Sequence, residues 1–342
     1  MPGGRPPRSA IHERLAFEVR ELRERLGGLP LPNEAEHIWT EIWRHEAHNS
    51  TAIEGNTLVL REVEILLSEG RAVGDKQLKD YLEVTGYADA AQWVYGQALA
   101  PGAWSDGSLI SVTEVRQIHH RAMMPAWGVA PHPDAHDAEA PGNWRQHDIQ
   151  SFPGGMRPPS HPDVPALMTD WVASVNTIVP DVPLLAEEVA HRHSDFERIH
   201  PFIDGNGRTG RLLANLILVR LGYPPAIIYQ RDRGRYLRAL RQADQGNRQP
   251  LGELFARGIL DNLMRFVVPA GAGPARLVPL ESLITSDLSA RALRDAARRG
   301  RLRAVRTPAG TWRSSRQWVD AYRGSRHEGL RRPRPERRRG VD

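Results

Sequence analysis

The stretch HPFIDGNGRTGR, residues 200–211, decides how the chain is read. It separates two segments with helical apolar spacing. The second, LLANLILVRL (212–221), is apolar nearly all round, which places it inside a core. A buried helix holds its own N-terminus still. Just before it stand Gly205, Asn206 and Gly207, residues that let successive backbone N–H groups turn toward one point. The helix dipole adds roughly half a positive charge there. Arg208 and Arg211 are three apart in the first turn and rise from one face. Amides, dipole and two guanidiniums together make a site for a polyphosphate. Asp204 would repel such a ligand unless a cation stood between them. Mg²⁺ held by one carboxylate and by the substrate's phosphates resolves that conflict. His200 ends the preceding helical pattern and can take a proton near neutral pH. A Gly-rich corner with surface arginines accounts for any one of these residues, but not for the whole set. The spacing is neither G-x-x-x-x-G-K-[ST] nor a strand-led G-x-G-x-x-G, so P-loop and dinucleotide-fold readings fail.

Working outward, the pattern is mainly α. Helical spacing covers about 11–26, 34–53, 58–69, 76–97, 111–122, 163–178, 183–199, 208–221, 234–244 and 250–266. Asn33 with Glu36 three residues on resembles a capping box. Residues 125–162 are rich in Pro, Gly, His and Asp and predict a long functional loop, with a short hairpin near Trp144 to Phe152. PAGAGPA at 269–275 is a linker, 276–325 a small module, and the basic stretch 326–342 a disordered tail.

The 342 residues are 40% hydrophobic and 25% charged, which excludes collagen, coiled coil and wholesale disorder. With no cysteine, disulfide scaffolds, thiolate nucleophiles and Cys-based metal sites are excluded. No apolar run is long enough for a membrane span, and MPGGRPPRSA lacks the core of a signal peptide, so a soluble cytoplasmic protein is expected. From Arg276 to Asp342 there are 18 Arg, no Lys and 7 acidic residues, a net +11. The total is +5, so the body carries −6. A basic end on an acidic body points to nucleic acid, although 44 of the 46 basic residues are Arg, which makes arginine itself weak evidence.

The segment 200–211 resembles the signature of the Fic family, HPFx[D/E]GNGRxxR, at every fixed position. Similarity of general pattern extends from about Ile42 to Phe266. The resemblance implies a helical Fic core over 111–268 with a small β-hairpin flap, preceded by a helical region over 1–110. It implies a protein adenylyltransferase that moves AMP from ATP to a hydroxyl side chain of a target protein or of itself. His200 would be the general base, Phe202 the loop anchor and Asp204 the Mg²⁺ ligand. The amides of Gly205 and Gly207, with Asn206, would form the anion hole, and Arg208 and Arg211 would bind the β- and γ-phosphates. Gly205 and Gly207 stand where the related Doc-type kinases carry Ala and Lys. Relatives often dimerise, so a homodimer is a further expectation.

Ser50-x-x-x-Glu54-Gly55 resembles the inhibitory motif [S/T]xxxE[G/N] of Fic proteins that carry such a helix, here about 34–55, ahead of the core. The resemblance implies that Glu54 pairs with Arg211 and occupies the space meant for the γ-phosphate. On position alone Glu54 is a solvated residue facing the negative end of its own helix, an arrangement that costs about 0.3–1 kcal/mol. Gly142–Arg145 through Met156–Pro159 resembles the flap, where an edge strand pairs with the target backbone. His45-Glu46-Ala47-His48 is one residue short of H-E-x-x-H and lacks its zinc geometry. His193 reads as a core histidine and Trp39, Trp43 and Trp93 as core residues. Tyr236 reads equally as core or as a neighbour of the nucleotide base.

In the C-terminal module Ser289 caps a helix that Gly300 ends, and Arg291, Arg294 and Arg298 share a face. RLRAVR and TWRSS flank a Pro308-Ala309-Gly310 turn. The pattern resembles the small winged helix-turn-helix of excisionase-like DNA-binding domains. The resemblance implies a helix in the major groove and Arg303, Arg306 and Arg313 at phosphates. A partner-docking module with a solvated basic face is the other reading. Two functions therefore stand side by side: AMP transfer with Mg-ATP, and a DNA-binding transcriptional regulator that uses the pocket as a nucleotide sensor.

Overall fold

Elements form where the apolar spacing places them. A computed structural model describes residues 8–32, 35–98, 108–152, 156–180, 182, 184–271, 277–307 and 310–330. Two compact units divide the chain, Met1–Leu263 and Met264–Asp342.

The first unit is helical: α1 (Arg8–Leu26), α2 (Glu36–Ile53), α3 (Leu60–Glu69), α4 (Leu78–Ala98), α5 (Val112–Trp127), α6 (Val164–Val175), α7 (Leu185–Ile199), α8 (Asn206–Arg220), α9 (Arg233–Asp244) and α10 (Gln249–Asn262). The Asn33 cap expected for α2 lies outside the described residues. Helix α5 starts on a capping box: Ser111 Oγ accepts from the Glu114 N–H, and Glu114 Oε2 accepts from the Ser111 N–H. At the centre is α8, packed against α4, α5 and α7. Every residue from Arg208 to Val219 is buried. Gly210 permits the close approach to α7, since a Cβ there would lie 2.6 Å from Glu197 Oε1 and 3.0 Å from Phe196 Cδ1. The one amide in the apolar run, Asn215, is fully bonded. It donates to Glu46 Oε1 at 2.7 Å and accepts from the Ala226 N–H at 2.8 Å. Glu46 in turn accepts from Tyr87 and Tyr95, so a satisfied polar knot ties α2, α4 and α8 together. Glu46 of the H-E-A-H stretch is thus spent inside the core.

The second unit runs through a π-turn to α11 (Val268–Gly271), then β1 (Val278–Pro279), α12 (Ala290–Arg298), β2 (Val305–Arg306), β3 (Trp312–Ser314) and α13 (Arg316–Leu330). Its sheet has the order β1-β3-β2, antiparallel throughout, with Val278 opposite Ser314 and Val305 opposite Arg313. Leu280, Leu283, Leu288, Leu293, Leu302 and Val319 form its core. Ser289 Oγ caps α12 through the Ala292 N–H at 3.3 Å, and Gly300 follows in the left-handed region. Helix α13 runs to Leu330, five residues past the expected module end, and the rest of the expected tail lies outside the described residues. Among the described residues no helix is long and apolar enough to cross a membrane.

Candidate active site

The turn between α7 and α8 is fixed by its own side chains. His200 caps α7 in the left-handed region (φ 50°), the one described non-Gly residue there. That geometry costs on the order of 1 kcal/mol and must be held from outside. Arg145 holds it. Its Nε donates to the His200 carbonyl at 2.9 Å, its Nη1 to the His147 carbonyl at 3.0 Å, and its Nη2 to the Pro159 carbonyl. The Arg145 N–H donates to the Pro201 carbonyl at 2.9 Å. Phe202 is fully buried, stacked on His119 at 3.6 Å between ring centroids and tilted against Trp144. Nδ1 of His119 accepts from the Gly142 N–H at 2.8 Å, so its Nε2 donates to the Asp204 carbonyl at 2.9 Å. Burial lowers the His119 pKa to about 3, which keeps that tautomer neutral.

The Asn206 side chain is held within the turn. Its side chain turns inward and closes on Phe202, accepting from the Phe202 N–H at 3.0 Å and donating to the Phe202 carbonyl at 2.8 Å. The side chain therefore locks the turn, and of Asn206 the backbone faces the cleft. Gly205 is required twice over: φ is 77°, and a Cβ would meet Met123 Sδ at 2.5 Å.

A cleft of about 790 Å³ opens over this turn, lined by Glu54, Phe152, His200, Asp204, Arg208 and the backbone from Gly205 to Gly207, among others. Nδ1 of His200 lies 3.2 Å from the Glu197 carbonyl, so Nδ1–H donates and Nε2 is left as the proton acceptor. Burial lowers the His200 pKa to about 4, and Arg145 pushes the same way. Asp204 Oδ1 accepts from the Gly205 N–H at 2.6 Å and from Arg208 Nη2 at 3.0 Å. Burial opposes its ionisation, but Arg208 and the Gly205 N–H outweigh it, and its pKa falls below the ordinary aspartate value. Arg208 is held on its other side by Glu83 at 3.2 Å.

Arg211 is turned toward α2. It donates from Nε to Ser50 Oγ at 2.8 Å, and from Nη2 to the Ser50 carbonyl at 3.0 Å and to Glu54 Oε1 at 2.7 Å. Burial alone would lower its pKa, but Glu54 more than compensates and raises it. The Glu54 side chain is 38% exposed against 4% for Arg211, so the pair is half-buried rather than sealed. Glu54 also answers its unfavourable place at the end of α2. A Cβ on Gly207 would stand 2.5 Å from its Oε1, so the carboxylate sits on the N-terminal turn of α8, at the positive end of a second dipole. Arg233 Nε caps the Ile53 carbonyl at 2.6 Å and fixes the end of α2.

Tyr236 is buried, with its hydroxyl 2.7 Å from His193 Nε2 and the Arg211 guanidinium over its ring, so it packs in the core beneath the site. The flap residues 143–152 and 156–160 form an irregular loop where a hairpin was expected. One contact closes it, from the Phe152 N–H to the Met156 carbonyl at 3.0 Å, and residues 153–155 lie outside the described ones. Phe152 reaches the His200 ring at 4.8 Å. Glu83, His119 and Arg145 escaped the sequence reading. Only Arg145 carried a signal, as an arginine inside the quoted GNWR stretch.

These contacts define a class: a helical protein whose buried central helix presents its N-terminus to a cleft beside a buried histidine. Residues 109–218 match the Fic/DOC family model. It is 27% identical to the protein adenylyltransferase fic-1 of Caenorhabditis elegans over 82% of this chain and 54% of that protein. It is 31% identical to the protein adenylyltransferase Fic of Nematostella vectensis over 74% of this chain and 55% of that protein. The chain thus spans about half the length of these curated relatives. Among solved structures, a fragment of C. elegans Fic-1 superposes with a TM-score of 0.61 at 28% identity, covering 77% of this chain and 72% of that one. A Fic family protein from Desulfovibrio desulfuricans shares the fold at 21% identity and TM-score 0.55, covering 92% and 98%.

Proposed function

We propose that the chain is a protein adenylyltransferase that transfers AMP from Mg-ATP to a hydroxyl of a target protein or of itself, and that Glu54 restrains it. The observation that carries this is the convergence of His200, Asp204, Arg208 and the α8 N-terminus on one cleft, with Glu54 seated on the same turn. The names of the relatives agree in kind.

His200 Nε2, unprotonated because its ring is buried, takes the proton of the attacking hydroxyl. The oxygen attacks the α-phosphorus, the bond from that phosphorus to the β-bridging oxygen breaks, and pyrophosphate leaves. The α8 amides, Arg208 and Arg211 hold the leaving charge, and little covalent help is needed beyond positioning. Asp204 suits Mg²⁺: its carboxylate is ionised, lines the cleft and offers hard oxygen. Mg²⁺ there would neutralise charge between the phosphates. In the resting state Glu54 holds Arg211 away from the γ-phosphate, so ATP enters only in an unproductive pose.

Intact mass after incubation with Mg-ATP tests this reading. We expect one added AMP on Glu54→Gly and none on Glu54→Gly/His200→Ala. Absence of the adduct on Glu54→Gly, in the presence of bound ATP, rejects it.

A second reading concerns the C-terminal unit, which we propose contacts DNA. Arg291, Arg294 and Arg298 are exposed along α12, and Arg303 and Arg306 are exposed beside the sheet. With Arg303, Arg306 and Arg313 at phosphates, the slope of log affinity on log salt would be about −3. Gel-shift retention that does not change between low and moderate salt counts against it. His200→Ala separates the regulator from the enzyme, because a sensor keeps nucleotide and DNA binding without turnover.

A further inference from the structure

We propose that His136, Glu139 and His147 form a site for a zinc-class divalent ion on the loop that leads into the cleft, separate from Asp204. One ligand atom from each lies within 4.8 Å of the other two. The site is built around Glu139. A single 3₁₀ turn, Asp137–Glu139, carries that carboxylate inward until it is 1% exposed. Two backbone N–H groups then orient it, His136 at 2.8 Å and Gln146 from the flap. Each takes one lone pair, and a carboxylate has about four. His147 Nδ1 stands 3.0 Å from Glu139 Oε1, yet this buried ring nitrogen forms no hydrogen bond with it or with any other described group. Their placement, a ring nitrogen beside a carboxylate oxygen, suits two donors facing a third body. The His136 ring is edge-on to that of His147, with centroids 5.0 Å apart.

The donor set selects the ion. Two imidazoles and one carboxylate suit zinc and its first-row neighbours, and disfavour Mg²⁺, which prefers all-oxygen shells. Tetrahedral bonds of about 2.0–2.2 Å put ligands roughly 3.4 Å apart, so closure needs a shift on the order of 1 Å. The ring of His136, exposed at the surface, supplies that shift by rotation. Orientation of the carboxylate by backbone N–H groups is the outer-shell support a metal ligand needs. Three protein ligands leave one vertex for water. Bound metal would staple 136–139 to the flap, whose His147 carbonyl already receives Arg145 Nη1 at 3.0 Å. It would thus stiffen the segment that also holds His200. The proposal stands apart from AMP transfer and survives its failure.

The test uses the full chain, stripped with chelator and then titrated with ZnCl₂ in calorimetry, with retained metal measured after gel filtration. We expect one zinc per chain, no displacement by millimolar Mg²⁺, and an intense tetrahedral visible spectrum when Co²⁺ replaces zinc. His136→Ala and His147→Ala should each weaken binding at least tenfold, and Glu139→Gln likewise with the fold kept. His37→Ala, an exposed histidine on α2, should bind as the wild type does. Equal zinc retention by the wild type and His136→Ala/His147→Ala, no retained zinc in the wild type, or a weak octahedral cobalt spectrum overturns the proposal.

Discussion

Replacing Glu54 by Gly should switch on AMP transfer, and the geometry sets the scale. The carboxylate meets Arg211 at 2.7 Å. With an effective dielectric constant of about 20, that contact is worth roughly 6 kcal/mol in Coulomb energy. Most of this is returned. Arg211 had to be desolvated, and Glu54 at 38% exposure is screened by water. A net preference on the order of 1.5–3 kcal/mol remains, comparable to a charge-assisted hydrogen bond. At about 1.4 kcal/mol per tenfold, freeing Arg211 should raise the rate roughly 10- to 100-fold. Glu54→Gln keeps the acceptor oxygen and loses the charge, so it should fall between. Ser50→Ala removes one of three hydrogen bonds to the same guanidinium and should give the smallest rise. The assay is incorporation of label from α-labelled ATP, with ATP binding measured alongside by calorimetry. If Glu54→Gly binds ATP and yet incorporates no more label than the wild type, the restraint assigned to this pair does not exist.

Gly207→Ala in the Glu54→Gly background should leave thermal stability nearly unchanged, because the carboxylate at 2.5 Å is gone, the remaining neighbour is the end of the flexible Arg211 side chain at 3.1 Å, and Ala favours a helix by roughly 0.5–1 kcal/mol. The same variant should lose ATP affinity in calorimetry, and unchanged affinity would mean the phosphates lie elsewhere. The acid limb of kcat/KM should lie well below the ordinary imidazole range, because burial holds His200 near a pKa of about 4 and it stays neutral above that; a midpoint at pH 6.5 would refute a buried base. Glu197 is pushed up to about 8 by burial, so the folded state retains a proton that the unfolded state loses near 4.5, and this site's contribution to stability falls as pH rises through that window. Glu197→Gln should therefore gain Tm relative to wild type as pH rises from 5 to 8, and a gap that does not widen argues against the buried acid. Arg145→Lys should lower kcat at least tenfold with little change in KM for ATP, since Arg145 holds the His200 carbonyl. Equal losses in both would assign it to binding.

What could be read from sequence was what is local. Turn, dipole, Arg208 and base lie within twelve residues and short-range geometry brings them to one cleft, whereas Arg211 is drawn toward α2. The helices were legible for the same reason, because their apolar spacing repeats within each segment. Glu83 and Arg145 reach the turn from 125 and 55 residues away; nothing near Glu83 marks it, and the GNWR stretch around Arg145 marks a flap but not the turn that Arg145 holds. His119 is a similar case: an imidazole in the middle of α5 gains its meaning from Phe202 and Asp204 across the core. The composition of the flap suits a hairpin, but two of its carbonyls, those of His147 and Pro159, go instead to the fork of Arg145, and its described residues form no strand. The inward turn of the Asn206 side chain has a subtler origin. In the unfolded turn its amide is as free to meet an anion as to meet Phe202, and only the burial of that ring against His119 and Trp144 decides between them.

Glu54 shows how a local penalty can mark a long-range partner. Taken on its own helix, a carboxylate at the C-terminal end is mildly unfavourable, so the position argues for a solvated side chain. The fold reverses the sign. The end of α2 is brought onto the start of α8, and the carboxylate is stabilised there by the second dipole and by Arg211. A residue that is wrong for its own element and right for a neighbouring one is coupled to the approach of the two elements. Whatever displaces α2 from α8 must strip Glu54 of both partners at once and leave it facing its own helix's negative end. The Glu46–Tyr87–Tyr95–Asn215 knot and the Arg233 cap on Ile53 oppose that displacement. Rotation of the half-exposed Glu54 side chain alone would break one of the three hydrogen bonds that hold Arg211 and leave the two to Ser50, so α2 keeps its grip on the guanidinium even when the carboxylate swings away.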